Sequence, residues 1–236
     1  MRLDKYLSNY GLGTRSEVKE FLKKGRVCVD GNICRQAELQ IDPEVNRILF
    51  DGEALGFKGE FSYYLLYKPA GYLTATEDEK RPVVTDLIPD KRKGLSPVGR
   101  LDLDTEGALL ITDDGELSHR LISPKYHVEK TYYAELSEAL PENSKELFSA
   151  PMIFKEFTAR PAEKFERITE NSANLTITEG KYHQVKRMFE RIGCPVTYLK
   201  RVSFGPLTLT GLEKGEVRAL SAEEIRELKR LTGLLS

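Results

Sequence analysis

The chain has 236 residues, of which 40% are hydrophobic and 31% charged, and its formal net charge is -1. This length exceeds the usual size of one domain, so it predicts either one large domain or a small domain joined to a large one. The sequence has no run of about 18 apolar residues of the kind that spans a membrane, and residues 1–5 lack the apolar core of a secretory signal. We therefore expect neither a membrane-spanning nor a secreted protein, but a cytoplasmic one with no membrane partner.

Charge is unevenly distributed along the chain, which matters more for nucleic-acid binding than the net value does. Residues 1–35 hold eight basic residues against four acidic ones, a local balance of +4, and a second basic concentration runs from Lys181 to Arg201. The three cysteines cannot pair completely, and their spacing matches no zinc template. These features predict reduced, structural thiols and locally basic surfaces.

The first 31 residues have the pattern of a compact helical and strand unit. Apolar residues recur with helical spacing over residues 3–10, and Thr14 or Ser16 can cap a second helix that ends at Gly25. Residues 26–31 then alternate like a strand and run into an Asp-Gly turn. The order predicted is helix, helix, strand, turn.

Beyond a candidate linker at residues 52–60, strand patterns predominate. Strands are predicted at residues 61–67, 108–112, 131–136, 173–178 and 207–209. Helices are predicted at residues 116–122, around Lys145, at 184–192 and at 222–231, the last capped by Ser221. Runs of strands with interspersed helices predict an α+β fold with a mainly antiparallel or mixed sheet.

Three carboxylates, Asp102, Asp104 and Glu106, lie within five residues. The spacing resembles part of a calcium loop, but the fifth position is Glu106, the twelfth is Asp113 instead of glutamate, and a strand-like run follows where a helix is expected. Two interpretations stay open: a polar turn with solvated acids, or a functional carboxylate site. Arg100 and the apolar residues on either side favour the second, because a carboxylate near buried surface needs a cationic or hydrogen-bonding partner.

Four segments resemble, in order and approximate spacing, the motifs of RsuA-type ribosomal RNA pseudouridine synthases. Arg100–Gly107 resembles the catalytic motif of that family. Tyr67–Gly71 resembles the first motif of the family. Glu129–Tyr132 resembles the segment that carries its active-site tyrosine, and Glu179–Met188 resembles its basic third motif. The N-terminal unit is similar to an S4 RNA-binding domain. The resemblance implies an α+β fold, with a small α/β S4 domain at residues 1–58 and a pseudouridine synthase domain at residues 60–236 that has a mixed, mainly antiparallel sheet and a central cleft.

The resemblance also implies roles for three residues in converting uridine to pseudouridine. Asp102 is implied as the catalytic aspartate, which can attack as a nucleophile or remove the ribose C2′ proton, and the sequence leaves both routes open. Tyr132 is implied as the ring on which the released uracil stacks and as a candidate base for the C5 proton, the alternative being an ordinary strand aromatic. Lys186 is implied as the cation beside Asp102, at a position that is arginine in related synthases. Arg187 is its rival, because adjacent helix residues cannot both face one site.

The same resemblance implies RNA contacts from both domains, and base flipping of the target uridine. The residues concerned are Arg15, Lys19, Lys24, Arg26, Lys68, Arg100, Lys181, His183, Gln184 and Arg187. For the N-terminal charges, the alternative is a helix face that is only solvated. Neither a metal nor an organic cofactor is implied, since the reaction has no redox step and the sequence has neither a nucleotide-binding loop nor a ligand cluster.

The expected substrate is 16S ribosomal RNA, either free or in a small-subunit assembly intermediate, and the expected reaction is that of the class which modifies uridine 516. Two alternatives stay open. One is a synthase that acts on 23S ribosomal RNA, like the RluB, RluE and RluF relatives, and the other is a non-enzymatic RNA-binding assembly factor. The sequence carries no clear sign of oligomerisation, and we expect a monomer.

Overall fold

The computed structural model describes residues 1–42, 45–55, 61–90 and 94–235. These residues form two compact units, a smaller one within residues 1–62 and a larger one that begins at Tyr63. Each unit has a hydrophobic core of its own. Within the described ranges, no helix is long and apolar enough to cross a lipid bilayer.

The smaller unit contains two helices followed by a small antiparallel sheet. The helices are α1 (Leu3–Asn9) and α2 (Arg15–Lys23), and the strands are β1 (Val27–Val29), β2 (Asn32–Ile33), β3 (Ile48–Phe50) and β4 (Glu53–Leu55). The strands are ordered β2-β1-β3-β4, and every pair is antiparallel. The predicted helix-helix-strand-turn order is confirmed.

Local sequence signals explain both the start of α2 and the β1–β2 turn. Thr14 accepts from the backbone N–H of Glu17, whose carboxylate accepts from the Thr14 N–H at 2.7 Å, so the two residues form a capping box. Asp30 and Gly31 both have positive φ, at 50° and 82°. Two such residues in succession are what a tight two-residue hairpin requires.

The linker predicted at residues 52–60 is partly wrong. Glu53–Leu55 pairs with β3 as the fourth strand of the small sheet, so the chain is still part of the smaller unit there. Residues 56–60 lie outside the described residues.

The larger unit is built around a mixed sheet with helices on its faces. Its strands are β5 (Tyr63–Lys68), β6 (Ser96–Pro97), β7 (Glu106–Thr112), β8 (Lys130–Leu136), β9 (Met152–Ile153), β10 (Thr158–Ala159), β11 (Lys164–Thr169), β12 (Ser172–Ile177), β13 (Val196–Phe204), β14 (Leu207–Thr208) and β15 (Val217–Ala219). Its α-helices are α3 (Gly115–Ile122), α4 (Ser144–Phe148), α5 (Gln184–Arg191) and α6 (Ala222–Leu231), with short 3-10 helices at Val84–Leu87 and Pro124–Tyr126.

The order of the strands confirms a mixed, mainly antiparallel sheet. The main path runs β11-β12-β8-β13-β7-β5-β15, with β6 added to β7 and β14 added to β13, while β9 and β10 form a separate hairpin. Only the β13–β7 pair is parallel among the pairs described. Strand β13 therefore lies between β7 and β8, two strands that come much earlier in the sequence.

Strand β7 is buried on both faces, which explains its continuous apolar sequence. Leu109 and Ile111 pack in a core that also contains residues of α4 and α5. Ala108 and Leu110 pack in a second core, with residues of α3 and α6. The central strand is thus held between two apolar layers.

A glycine lets β7 and β13 come close together. Gly107 has φ +114°, and a Cβ atom there would lie 2.6 Å from the backbone nitrogen of Arg201 and closer still to its carbonyl oxygen. A side chain at this position would therefore push the two strands apart. The second residue of β7 is therefore in close contact with β13.

Candidate active site

The loop that precedes β7, residues 99–105, carries Asp102 and is called the Asp102 loop below. Gly99 has φ +72° at its start. Further along, the Thr74 hydroxyl donates to the Leu101 carbonyl at 2.7 Å and accepts from the Leu101 N–H at 3.2 Å. A neighbouring segment thus fixes the backbone immediately before Asp102.

A buried lysine holds the rest of this loop. Lys68, the last residue of β5, is 0% exposed. Its Nζ donates to the carbonyl oxygens of Asp102 at 3.1 Å, Leu103 at 3.3 Å and Thr105 at 2.8 Å, as well as to that of the adjacent Pro69 at 3.0 Å. One ammonium group therefore joins three carbonyls of the Asp102 loop to the end of β5.

The prediction that Lys68 contacts RNA is wrong, because its ammonium is enclosed by protein and occupied by backbone carbonyls. Burial lowers the pKa of Lys68 to about 8, although the carboxylates of Asp104, Glu106 and Asp102 oppose that change. A lysine enclosed in this way supports a loop and cannot contact a phosphate.

The Asp102 carboxylate lies between two groups from the basic third motif and is 30% exposed. Its Oδ2 is 3.3 Å from Lys186 Nζ, and its Oδ1 is 3.5 Å from His183 Nε2. Lys186 also donates to both oxygens of Asp104, at 2.7 and 2.9 Å. The hydrogen bond from Lys186 is the main reason why the pKa of Asp104 lies below its usual value. Lys186 thus serves two carboxylates at once.

Helix α5 directs its two adjacent cations to different places. Lys186 faces the Asp102 loop, whereas Arg187 pairs with Glu156 at 2.5 Å. The Arg187 guanidinium also lies 5.0 and 4.9 Å from the ring centres of Phe154 and Phe157. The expectation that Lys186, and not Arg187, lies beside Asp102 agrees with this geometry.

Gln184, the first residue of α5, is buried and organises the turn before the helix. Its Nε2 donates to Glu179 Oε1 at 2.8 Å, and its Oε1 accepts from the Lys181 N–H at 3.0 Å. Glu179 also pairs with Lys181 Nζ at 3.0 Å. The Gln184 amide is buried and bonded within the protein, although the residue lines the same pocket as Asp102, and its contact with RNA stays a prediction.

Asp102 and Tyr132 line the same pocket, which has a volume of about 430 Å³ including its open mouth. Tyr132, on β8, is 8% exposed and belongs to the core that packs under α5. The pocket wall is completed by apolar side chains and by polar side chains of the Asp102 loop and the α5 segment: Arg100, Leu101, Thr105, Ile177, Lys181, His183, Gln184, Val185, Lys186 and Leu199. An aromatic ring, a carboxylate and a cation therefore surround one cavity.

Two other cations predicted near the cleft, Lys181 and Arg100, differ in how far their charged groups are already bonded within the protein. Lys181 Nζ donates to the Thr158 carbonyl at 2.5 Å and lies 5.4 Å from the centre of the Phe157 ring, so it is largely occupied. Arg100 lines the pocket and is exposed. Arg100 is thus the better placed of the two for a phosphate group.

In the smaller unit, the predicted RNA-binding cations fall into two kinds. Arg26 is paired with Asp51 and lies 4.6 and 4.4 Å from the ring centres of Phe21 and Phe50. The others project from α2 and its end into solvent: Arg15, Lys19 and Lys24. The contact of all four with RNA stays a prediction.

Within the described residues, no cluster of three or more histidine, cysteine, aspartate or glutamate side chains could hold a metal ion.

Comparison with known proteins identifies the family. The family described as RNA pseudouridylate synthase matches residues 62–191, which is more than half of the chain. The chain belongs to the RNA pseudouridylate synthase family. The S4 domain family matches residues 1–45 of this synthase, and the predicted resemblance to RsuA-type synthases is confirmed.

Individual relatives agree over nearly the full length. The uncharacterized RNA pseudouridine synthase YtzG of Bacillus subtilis is 44% identical over 236 residues, covering 97% of this chain and 98% of that protein. Ribosomal small subunit pseudouridine synthase A is 40% identical in Pasteurella multocida, covering 95% and 98%, and 38% identical in Escherichia coli, covering 95% and 98%. A crystal structure of a pseudouridylate synthase matches with a TM-score of 0.70 at 36% identity, covering 97% of this chain and 99% of the other.

Two features of this synthase were not predicted from its sequence. Asp104 was noted only as a neighbouring acid, yet it lies closer to Lys186 than Asp102 does. The support of the Asp102 loop by Lys68 was not foreseen either, because backbone carbonyl acceptors leave no signal in the residue pattern. The spacing of Asp102 and Asp104, two residues apart in a turn, could have suggested a shared cation.

Proposed function

We propose that this protein converts a uridine of small-subunit ribosomal RNA to pseudouridine, with Asp102 as its catalytic residue. The observation that carries the proposal is the position of the Asp102 carboxylate, which shares a pocket with Tyr132 and lies 3.3 Å from Lys186. Family membership supports an isomerase that acts on RNA. The names of the Pasteurella and Escherichia relatives support the small subunit as its target.

The reaction breaks the N1–C1′ bond of uridine, turns the uracil and joins C5 to C1′, after which the C5 proton is lost. Asp102 can start it by attacking the sugar as a nucleophile or by removing the C2′ proton. The Lys186 ammonium offsets the negative charge that Asp102 carries before it reacts. Both routes use the same carboxylate and need no oxidant or reductant.

Tyr132 is proposed to keep the detached uracil in place while it turns. Its ring lines the pocket and is held by the core beneath it, so it offers a rigid stacking surface. Base–aromatic stacking is strong and independent of sequence, which suits a base that must rotate without leaving. The Tyr132 hydroxyl is the proposed acceptor of the C5 proton.

The finer target that we propose is 16S ribosomal RNA, at the uridine 516 site. Chemical mapping of pseudouridine in 16S and 23S ribosomal RNA, from cells that lack the protein, tests this directly. Loss of one 16S modification is expected. Loss of a 23S modification instead would reassign the target, and intact modification in both RNAs would leave a non-enzymatic assembly factor. Adding the protein to free 16S RNA and to small-subunit particles shows which form of the substrate is modified. We expect the enzyme itself to be a monomer.

The catalytic assignment is tested by comparing two neighbouring carboxylates. Asp102→Asn is expected to lower turnover at least 10³-fold, because an amide is neither a nucleophile nor a base, while RNA affinity stays within a few-fold. Asp104→Asn is the matched control: Asp104 is 74% exposed and also pairs with Lys186, so we expect a loss of tenfold or less. Normal turnover in Asp102→Asn, or a larger loss in Asp104→Asn, would show that the wrong carboxylate was chosen.

The RNA-binding role of the S4 domain is tested by its salt dependence. Replacing Arg15, Lys19 and Lys24 together with glutamine removes three exposed charges. Each phosphate contact that is lost lowers the slope of log K against log salt by about 0.7–0.9, so a decrease of about two is expected. A slope equal to that of the wild type would mean that these side chains are only solvated.

A further inference from the structure

A tyrosine that neighbours a pocket-lining histidine is exposed and is nevertheless stacked on that histidine. Tyr182 is 75% exposed, and its ring stacks on that of His183 with centres 3.8 Å apart and planes 18° apart. One face of the Tyr182 ring is therefore covered by protein. The rest of the ring is a flat apolar surface that is open to solvent.

The turn that presents these two rings is fixed from inside the protein. The Gln184 N–H donates to the Lys181 carbonyl at 3.1 Å, and the buried Gln184 side chain accepts from the Lys181 N–H. His183 adopts a left-handed backbone conformation, with φ 52°, before α5 begins. Because the turn is already held before any ligand binds, a ligand that stacks on Tyr182 would have little ordering cost to overcome.

The stacked rings lead directly to the candidate catalytic group. His183 lines the pocket, and its Nε2 is 3.5 Å from Asp102 Oδ1. Tyr182 stacks on this pocket-lining ring but is not itself among the residues that line the pocket. Exposed Arg100 lines the same pocket, so a polyanion is favoured at this mouth.

We propose that Tyr182, backed by His183, is a stacking platform for the RNA base next to the target uridine. This inference rests on the proposed function. A uridine that enters the pocket to reach Asp102 must leave its own stack, and the adjacent base then loses a neighbour. The Tyr182 ring replaces that neighbour, so it stabilises the RNA in the flipped form, and it is a positioning residue instead of a catalytic one.

A protein partner is the other class of ligand that an exposed aromatic ring could bind. The observations favour RNA, because the Tyr182 ring stacks on His183, whose Nε2 is 3.5 Å from the Asp102 carboxylate, and the pocket wall contains exposed and half-buried cations. A protein docked here would close the pocket to the substrate. If the ligand is RNA, changing Tyr182 alters RNA binding, whereas if the ligand is a protein, it does not.

The first experiment uses the fact that the chain contains no tryptophan. In an Asp102→Asn background, Tyr182→Trp introduces a single tryptophan at the platform, which can be excited selectively over the tyrosines. Adding a 16S RNA fragment that contains the target uridine should quench its emission, and an abasic site next to that uridine should restore it. Tyr133→Trp is the matched control, since Tyr133 is the next residue after Tyr132 but packs against Tyr198 and does not line the pocket, and no quenching is expected there.

The second experiment measures catalysis in the wild-type background. Tyr182→Ala should raise the KM for the RNA fragment about tenfold and change kcat less, whereas Tyr182→Phe keeps the ring and should behave like the wild type. Quenching absent from Tyr182→Trp under conditions where RNA is bound, or an unchanged KM in Tyr182→Ala, would overturn the proposal and leave Tyr182 for a protein partner. If the wild type itself forms no pseudouridine, the proposed function fails, and the quenching measurement still decides whether a base stacks on Tyr182.

Discussion

Replacing Lys68 by methionine should affect activity far more than stability. The methionine side chain has nearly the same length but cannot donate to the carbonyl oxygens of Asp102, Leu103 and Thr105, which the Lys68 ammonium holds at 3.1, 3.3 and 2.8 Å. Lys68→Met therefore leaves the core filled and removes the hydrogen bonds to the Asp102 loop and to the adjacent Pro69 carbonyl.

The expected size of the stability effect follows from two opposing contributions. Hydrogen bonds from a charged donor contribute about 1.5–3 kcal/mol each, while removing a buried charge returns several kcal/mol of desolvation cost. Two of the acceptors also keep a backbone donor, since Gly71 N–H donates to the Leu103 carbonyl and Thr105 N–H to that of Asp102. We expect the free energy of unfolding to fall by about 2 kcal/mol, which leaves a protein of ordinary stability almost fully folded.

The effect on catalysis should be larger, because Lys68→Met loosens the loop that carries Asp102, the proposed catalytic carboxylate. A misplacement of about 1 Å lowers a rate about 10²-fold, so we expect kcat for the Lys68→Met variant to fall by about that factor. Urea unfolding and single-turnover conversion of a 16S fragment at pH 7 measure the two effects separately.

Lys130→Met is the matched control. Lys130 is also buried, at 7% exposure, and its pKa is also lowered to about 8 by burial, but its Nζ donates to the Val128 carbonyl and not to the Asp102 loop. It should lose similar stability and retain kcat within a few-fold. If Lys68→Met turned over as fast as Lys130→Met, the argument that Lys68 positions the loop would be refuted.

The pH dependence provides a second readout of the same residue. Because burial lowers the pKa of Lys68 from 10.5 to about 8, the wild-type ammonium loses a donor as the pH rises through 8, and kcat should fall there. Stability should change in the opposite direction between pH 8 and 10, since the unfolded chain then binds more protons than the folded one and the free energy of unfolding rises. The fall in kcat should be missing from the Lys68→Met profile and present in that of Lys130→Met.

Two further predictions concern stability alone. Gly107→Ala should lower the free energy of unfolding by about 2–5 kcal/mol in urea titrations, because φ is +114° and the new methyl group would meet the backbone of Arg201. Glu224→Gln should be less stable than the wild type at pH 7, with a difference that shrinks as the pH falls from 4.5 towards 2. The reason is that hydrogen bonds from Arg218 lower the pKa of Glu224 to about 2, so the stabilisation is present above the unfolded pKa and lost on protonation in the folded state.

Controls for these two variants lie in the same domain. Gly215→Ala introduces a methyl group at φ +89° with no atom within 4 Å, so only the backbone strain of about 1 kcal/mol is expected. Glu223→Gln removes an exposed carboxylate that pairs with the exposed Arg226, and the stability of this variant should follow that of the wild type across the acid range. An equal loss in the two glycine variants, or equal acid profiles in the two glutamate variants, would contradict the stated causes.

Much of the fold could be predicted because periodic apolar residues and end signals coincide. The helix beginning after Ser221 and the strand at residues 108–112 both have clear patterns, and the structure contains both. Strand β13 was not predicted, although it is the longest strand described. Its sequence does not alternate, because the buried Arg201 donates to the Ala108 carbonyl at 2.7 Å while Lys200 is partly exposed, so charged residues interrupt both faces.

The sequence allowed residues of the site to be predicted, but not the contacts that these residues make. The resemblance of the motif around Asp102 and of the segment around Lys186 placed both near one cleft, and they lie in one pocket. Residue type alone could not distinguish Lys68 and Gln184, whose polar groups are enclosed, from cations that reach solvent. Whether a polar side chain faces solvent or a backbone carbonyl depends on tertiary packing, which has no counterpart in a local pattern.

The insertion of β13 between β7 and β8 has a consequence for newly synthesised chains. The Asp102 loop leads into β7 and Tyr132 lies on β8, and these two strands are joined in the sheet through β13, with which both are paired. Before residues 196–204 are translated, the nascent chain therefore lacks the strand that lies between β7 and β8 in the finished sheet. Such a nascent chain already contains the three side chains proposed to act in the reaction but still lacks the strand that completes the pocket wall, so we expect it to modify RNA only after that strand has been translated.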